Sequence, residues 1–84
     1  MFEIFLSKQA SKFIRQADKV LVSRIIEKLE HLKEEPICHD TKRIVGTTFF
    51  RVRVGDLRIL YKVEYNKNLV VIDKIDKRSK VYDF

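Results

Sequence analysis

The sequence predicts an α+β fold: an N-terminal strand, an αα-hairpin, and then a three- to four-stranded, mostly antiparallel sheet. Two alternating runs around Gly55-Asp56 indicate a β-hairpin, and two earlier stretches with apolar residues at i, i+3 and i+4 indicate helices. A last apolar run, residues 69–75, indicates an interior strand. Eighty-four residues leave room for one domain, which we expect to span residues 1–84.

The N-terminal half predicts a strand followed by two helices. Residues 2–6 are an apolar run typical of a strand, and Ser7 is a suitable N-cap for the first helix. The apolar positions of that helix are Ala10, Phe13, Ile14 and Ala17. Asp18 can cap a second helix, which Pro36 ends. The apolar face of this second helix is predicted to comprise Val22, Ile25, Ile26, Leu29 and Leu32.

The stretch 49–63 is the centre of the predicted sheet. Gly55-Asp56 forms a two-residue turn, with glycine at the position where a type II′ turn requires positive φ. The loop length fixes the register, so Arg53 is expected to lie opposite Arg58. One face of the hairpin is then wholly apolar, with Phe50, Val52, Val54, Leu57, Ile59, Tyr61 and Val63. We expect the two helices to pack on this face.

The other face of the hairpin carries Arg51, Arg53, Arg58 and Lys62 and no acid. Like charges directly opposite one another destabilise a sheet by about 0.2–1 kcal/mol, so folding alone does not favour this pattern. A solvated face whose arginines splay apart is one interpretation, and Lys62 fits it. The concentration of cations favours an open, anion-binding surface.

The segment between the helices and the hairpin contains Cys38, His39 and Asp40 in succession. Adjacent residues of an extended loop do not point at one centre, and the sequence has no second pair at metal-ligand spacing, so we expect a plain loop rather than a catalytic or metal site. Residues 42–46 are predicted to form a second strand that ends at Gly46. No metal or cofactor is expected.

The net charge of +6 is unevenly distributed. Residues 1–40 hold seven basic and seven acidic side chains, whereas residues 41–84 hold eleven basic and five acidic ones. This asymmetry predicts a polyanionic partner for the sheet half, either nucleic acid or an acidic protein segment. A single cysteine, an amino terminus unlike a signal peptide and the lack of a long apolar run are together typical of a cytoplasmic protein that does not enter a membrane.

The chain resembles the RelE/ParE toxin superfamily, and most closely its short archaeal RelE-type members. The resemblance rests on the strand–helix–helix opening, on the run Phe-Arg-Val-Arg-Val-Gly-Asp-Leu-Arg-Ile-Leu-Tyr ending at Tyr61, and on Arg-Ser-Lys-Val-Tyr ending at Tyr82. It implies the RelE-like microbial ribonuclease fold. It also implies a toxin that cleaves messenger RNA in the ribosomal A site by attack of a 2′-hydroxyl, with a cognate antitoxin, the ribosome and mRNA as partners.

The resemblance also implies a set of site residues. The matching positions of this sequence are Arg51, Arg53, Arg58, Lys77, Arg78 and Tyr82. Arginine binds phosphate oxygens with its planar fork but keeps its proton, so Lys77 and Tyr82 are the candidates for proton transfer or base stacking. Tyr82 is equally consistent with a hydrophobic plug at the terminus. Asp76 occupies a position where some relatives have arginine, which leaves the proton-transfer roles open.

Two other functions are consistent with the same sequence. One is that of the ParE branch, whose members bind DNA gyrase without catalysis. The other is that of a catalytically inactive module whose basic face only binds an antitoxin or RNA. Members of the ParE branch usually lack the full set of hairpin and tail cations found here, which favours the nuclease.

Overall fold

The structure is a computed structural model that describes residues 1–77. The elements follow the predicted order: β1 (Glu3–Leu6), α1 (Lys8–Gln16), α2 (Lys19–Glu34), β2 (Lys42–Arg43), β3 (Phe50–Val54), β4 (Leu57–Glu64) and β5 (Leu69–Lys77). A short 3-10 turn, Tyr65–Lys67, connects β4 to β5. The α+β fold class and its strand–helix–helix–sheet order are confirmed.

Within residues 1–77 the strands form one mixed sheet in the order β1-β5-β4-β3-β2. The pairs β2–β3, β3–β4 and β4–β5 are antiparallel, whereas β1 is parallel to β5. The predicted hairpin register is confirmed, including Arg53 opposite Arg58. Gly55 has φ of +61° while Asp56 keeps a negative φ, as a type II′ turn requires.

Both helices begin at the predicted caps. The Ser7 hydroxyl accepts a hydrogen bond from the Ala10 N–H at 3.1 Å, and the Asp18 carboxylate accepts one from the Leu21 N–H at 2.9 Å. These bonds satisfy backbone donors that the first helical turn leaves without an intrahelical partner. The helices therefore start where local chemistry places them.

The core lies between the helices and the apolar face of the hairpin, as predicted. Its largest fully buried side chains include Tyr61, Ile25 and Leu32. The predicted α2 face is wrong at one position, because Ile26 is 42% exposed. Ile25, Leu29 and Leu32 form the buried stripe at i, i+4, i+7, which leaves Ile26 about 100° away around the helix.

The predicted second strand is shorter than expected. It ends at Arg43 rather than at Gly46, because the Thr47 N–H donates to the Ile44 carbonyl and turns the chain. Gly46, with φ of +82°, lies inside this turn. Val45 is almost fully exposed as a result, so its apolar side chain contributes to no strand face.

A bulge in the β4–β5 ladder is fastened to α1. Leu60 pairs with Lys74 and Tyr61 with Ile72, so Asp73 is the extra residue of β5. The Ser7 hydroxyl donates to the Asp73 carbonyl at 2.6 Å. The Gln9 side chain both donates to the Ile75 carbonyl and accepts from the Ile75 N–H, at 2.7 and 2.9 Å.

Neither α1 nor α2 is long and apolar enough to cross a membrane.

Candidate functional site

The face of the sheet opposite the helices carries two rows of residues across its strands. In one row Lys42 of β2 lies opposite Arg51, which lies opposite Leu60. In the next row Arg53 lies opposite Arg58, which lies opposite Asp76 of β5. Facing residues of an antiparallel pair point to the same side, so these cations share one surface. The structure thus brings Arg51, Arg53 and Arg58 together.

This face is not uniformly open, which corrects the expectation from sequence. Arg53 is exposed and Arg51 is half-buried, but Arg58 is only 5% exposed and Leu60 is fully buried. Both buried residues belong to β4, which has strands on either side, so long side chains flank them from β3 and β5. Arg58 is therefore a buried cation at the floor of the surface rather than a solvated one.

A small pocket opens on this face. We call it the cationic pocket; it is lined by Asp40, Lys42, Arg51, Arg53 and Arg58. Its volume is about 80 Å³, the space of two or three water molecules, which suits one phosphate-sized anion and excludes a whole nucleotide. The side chains of Lys42 and Arg53 form no hydrogen bond or ion pair with any other residue of the range 1–77.

Asp40 is the one carboxylate that lines the cationic pocket within the described residues. Its Oδ2 accepts from the Lys28 ammonium at 2.7 Å, and its Oδ1 accepts from the Cys38 thiol at 2.9 Å. The hydrogen bond from Cys38, followed by that from Lys28, lowers the pKa of Asp40 to about 2. The carboxylate is therefore ionised at neutral pH and is a poor proton acceptor.

The loop that carries Asp40 is fastened to the core through Tyr61. The buried Tyr61 hydroxyl donates to the Pro36 carbonyl at 2.6 Å and contacts the Thr41 hydroxyl at 2.9 Å. The Thr41 oxygen also accepts from the Cys38 N–H at 3.2 Å. Burial raises the pKa of Tyr61 to about 12, so the phenol keeps its proton and its bond to the loop.

The thiol of Cys38 is part of this support. Burial and the hydrogen bond to Asp40 raise the pKa of Cys38, so the group remains a protonated donor. The side chains of Cys38 and Asp40, two positions apart, form a hydrogen bond with each other, whereas we expected a loop without such side-chain contacts. We also expected no metal site in this loop. Within residues 1–77, no group of three or more His, Cys, Asp or Glu side chains lies close enough together to bind a metal ion.

Three of the predicted site residues lie at or beyond the end of β5. Lys77 is opposite Leu57, a core residue, so strand alternation directs Lys77 to the helix side of the sheet and it does not line the cationic pocket. Arg78 and Tyr82 lie outside the residues that the structure describes. The site roles of all three stay predictions.

Sequence reasoning missed Asp40, Lys42 and Asp76 as neighbours of the arginines. Lys42 was within a predicted strand, but the pairing of that strand with β3 was not assigned. Asp76 faces Arg58 only because of the β4–β5 bulge, which shifts the register by one residue. The available signal was the acidic–basic pattern Asp40-Thr41-Lys42 at the start of the strand that precedes Arg51.

Comparison with known proteins identifies the family. Residues 4–82 match the model of the ParE toxin of type II toxin–antitoxin systems. The chain belongs to this toxin family. It is also 29% identical over 85 residues to a Methanocaldococcus jannaschii protein that bears the toxin name RelE1, an alignment that covers 96% of this chain and 94% of that protein. Membership of the RelE/ParE superfamily, which the hairpin and tail motifs indicated, is confirmed.

Solved structures of RelE toxins share the fold. The archaeal RelE–RelB complex from Pyrococcus horikoshii OT3 superposes with a TM-score of 0.83 at 26% identity, covering 94% of this chain and 97% of that one. The isolated Escherichia coli RelE toxin superposes with a TM-score of 0.81 at 21% identity, covering 98% and 92%. This family member therefore has the RelE fold, and its likeness to the archaeal protein extends over nearly the whole chain.

Proposed function

We propose that this toxin is a ribosome-dependent endoribonuclease that cleaves messenger RNA in the A site. The observation that carries the proposal is the cationic pocket, where Lys42, Arg51, Arg53 and Arg58 surround a phosphate-sized space on a RelE fold. The relatives named as RelE toxins support the same reading. Single-domain organisation over residues 1–84 and a cytoplasmic location belong to the proposal.

The proposed reaction is an attack of the 2′-oxygen on the adjacent phosphorus. A new 2′-O–P bond forms, the bond from phosphorus to the 5′-oxygen of the next nucleotide breaks, the 2′-hydroxyl loses a proton and the leaving 5′-oxygen gains one. The products are a 2′,3′-cyclic phosphate and a 5′-hydroxyl. The greatest need is to stabilise negative charge on the phosphorane, a task for which preorganised cations are suited.

The arginines are assigned to this task. Arg51, Arg53 and Arg58, with Arg78 from the tail, hold the phosphate and stabilise its developing charge. Burial strengthens the contribution of Arg58, because a charge in a less polar environment interacts more strongly than one in water. Tyr82 is assigned proton transfer or base stacking. The resemblance gives Lys77 the same role, but its position opposite Leu57 directs it to the helix side of the sheet, so it is not assigned a step at the cationic pocket.

Dependence on the ribosome follows from what the site lacks among the described residues. Asp40, the carboxylate in the pocket, is held ionised by Lys28 and Cys38, and no histidine lines the pocket. A site with weak acid–base groups needs a substrate already aligned for in-line attack, which the ribosome supplies. Cleavage of free RNA is therefore expected to be slight.

The direct test uses the purified chain and a defined mRNA. The mRNA is offered either free or on ribosomes with a vacant A site, and the new 5′ ends are mapped by primer extension. We expect one dominant cut in the A-site codon on ribosomes and little on free RNA. Robust cutting of free RNA, or no cutting on ribosomes, contradicts the proposal.

An antitoxin is the second proposed partner. The solved structures that this chain resembles include complexes of RelE with RelB from P. horikoshii and M. jannaschii. The +6 charge of this chain favours an acidic partner segment. We infer that a cognate antitoxin binds the toxin and neutralises it.

Gyrase inhibition, the function expected of the ParE branch, is the alternative that we propose, because the matching family model is described as that of the ParE toxin. A parallel assay of gyrase supercoiling distinguishes the two. Inhibition of supercoiling with intact translation would support the ParE function.

An inactive binding module is distinguished by Arg58→Ala: loss of toxicity with antitoxin binding retained supports the enzyme, and loss of both supports the module.

A further inference from the structure

A second, larger opening lies beside the cationic pocket. We call it the lateral cleft; it lies between α2, the loop after it and the hairpin turn, and is lined by Arg24, Glu27, Lys28, His31, His39, Val54 and Gly55. Its volume is about 410 Å³, within the range of pockets that hold small organic ligands. The cationic pocket suits one phosphate, whereas the lateral cleft has room for a nucleoside.

The two openings share a wall. Lys28 lines the lateral cleft, Asp40 lines the cationic pocket, and their side chains join at 2.7 Å. His39 and Asp40, neighbours in sequence, lie on opposite sides of this wall. The hydrogen bonds of Cys38, Thr41 and Tyr61 hold the wall in place, so the two openings are fixed at adjacent positions.

Arg24 is available to a ligand in the lateral cleft. The side chain makes no hydrogen bond or ion pair with any part of the described chain, residues 1–77. Its guanidinium lies over the hairpin turn, where Nη1 is 3.5 Å from the position that a Cβ on Gly55 would occupy. His39 is likewise exposed and makes no hydrogen bond within the same range.

We propose that the lateral cleft binds the RNA nucleotide adjacent to the scissile phosphate. The Arg24 fork contacts the next phosphate along the strand, and the His39 ring stacks on the base. The inference rests on the proposed nuclease function and adds the path of the substrate to it. An RNA strand fits better than an acidic peptide, because the exposed His39 ring in the same cleft offers a stacking surface that a base uses and a run of carboxylates does not.

The test measures RNA binding as a function of length. Fluorescence anisotropy at low salt is recorded with labelled 2′-O-methyl oligoadenylates, which lack the attacking hydroxyl, from two to five nucleotides. We expect the wild-type chain to gain affinity when the oligomer becomes long enough to reach the lateral cleft. Arg24→Ala and His39→Ala are each expected to reduce this gain about fivefold or more. Arg24→Ala should also lower the slope of log K against log salt by about 0.7, the loss of one phosphate contact.

Arg15→Ala is the matched control. Arg15 is an exposed arginine of α1 whose side chain, within residues 1–77, bonds only to Ser11 of its own helix, so its removal changes net charge equally without touching either opening. The control is expected to retain the length-dependent gain.

Arg53→Ala separates the two proposals. If it weakens binding at every length while Arg24→Ala binds like the control, the lateral-cleft inference is wrong and the nuclease site stands. If neither change affects RNA binding, both are wrong. If Arg24→Ala weakens only the binding of the antitoxin, the lateral cleft binds the antitoxin rather than RNA, and the proposed path of the RNA is wrong.

Discussion

Arg53 and Arg58 lie directly opposite one another on β3 and β4, so two guanidinium groups share one pair of facing positions on the sheet. Facing like charges cost about 0.2–1 kcal/mol in a sheet. Arg58 is also buried, which removes the water that would screen the repulsion. The repulsion between the two guanidinium groups disfavours folding, although Asp76 lies opposite Arg58 on its other side, and the pair of cations favours binding of an anion between the strands.

The first prediction follows from this pair. Arg53→Thr should raise the free energy of unfolding by about 0.2–1 kcal/mol, because it removes the repulsion and places a good strand former at the position. The same change should abolish most of the toxicity. Urea unfolding and a growth assay measure the two effects. Lys62→Thr, which removes a cation of the same hairpin not opposed by another, should leave stability and toxicity nearly unchanged.

The second prediction concerns the buried stripe of α2. Ile25→Ala should lower the free energy of unfolding by about 2–5 kcal/mol, because Ile25 is fully buried in the core. Ile26→Ala, the neighbouring position with 42% exposure, should cost far less. Thermal unfolding of the two variants tests the corrected helix face. An equal loss of unfolding free energy in the two variants would show that Ile26 is buried in the core and would contradict the corrected face.

The third prediction concerns acid. The pKa of Asp40 is lowered from its ordinary value of 3.8 to about 2, so its ionised form stabilises the fold. This contribution is present above pH 3.8 and is lost as pH falls toward about 2. The melting temperature of Asp40→Asn should therefore fall less than that of the wild type between pH 3.8 and about 2. Asp73→Asn, at an exposed site of β5, should melt like wild type at each pH, and an unchanged acid profile in Asp40→Asn would contradict the assignment.

The fourth prediction concerns the fastening of the loop. Tyr61→Phe removes the hydroxyl that donates to Pro36 and contacts Thr41, and should cost about 1–3 kcal/mol because buried polar groups then lack their partner. The loop should loosen, with faster amide exchange at Cys38 and Thr41. Tyr65→Phe is the control, since Tyr65 is 62% exposed and its hydroxyl makes no hydrogen bond in the described part of the chain.

Most of the fold was accessible from local sequence signals. The Gly55-Asp56 turn fixed the hairpin register, and Ser7 and Asp18 marked the helix starts, because each acts through neighbours within three residues. The sequence alone does not define the buried face of α2, since Val22 and Ile26 are as apolar as the residues that are buried. The early end of β2 depends on a turn at Ile44 and Thr47 that its apolar composition conceals.

The site was accessible only in part. The arginines of the hairpin were found because alternation places them on one face. Asp40 and Lys42 were not joined to them, because their approach depends on contacts between separate elements, Lys28 of α2 with Asp40 and Lys42 of β2 with Arg51 of β3, which no pattern within one element reveals. The burial of Arg58 also depends on the whole sheet, which alternation within one hairpin does not reveal.

The most direct test of the central claim is the single-turnover rate of A-site mRNA cleavage on ribosomes by Arg53→Ala and Arg58→Ala, each first shown to be folded by circular dichroism. We predict that each change lowers the rate by about 100-fold or more, the usual effect of removing a group that stabilises developing charge, while the chain still binds its antitoxin. Lys62→Ala should cleave at nearly the wild-type rate. Cleavage by both arginine variants at the wild-type rate would contradict the claim that these cations act on the transferring phosphoryl group.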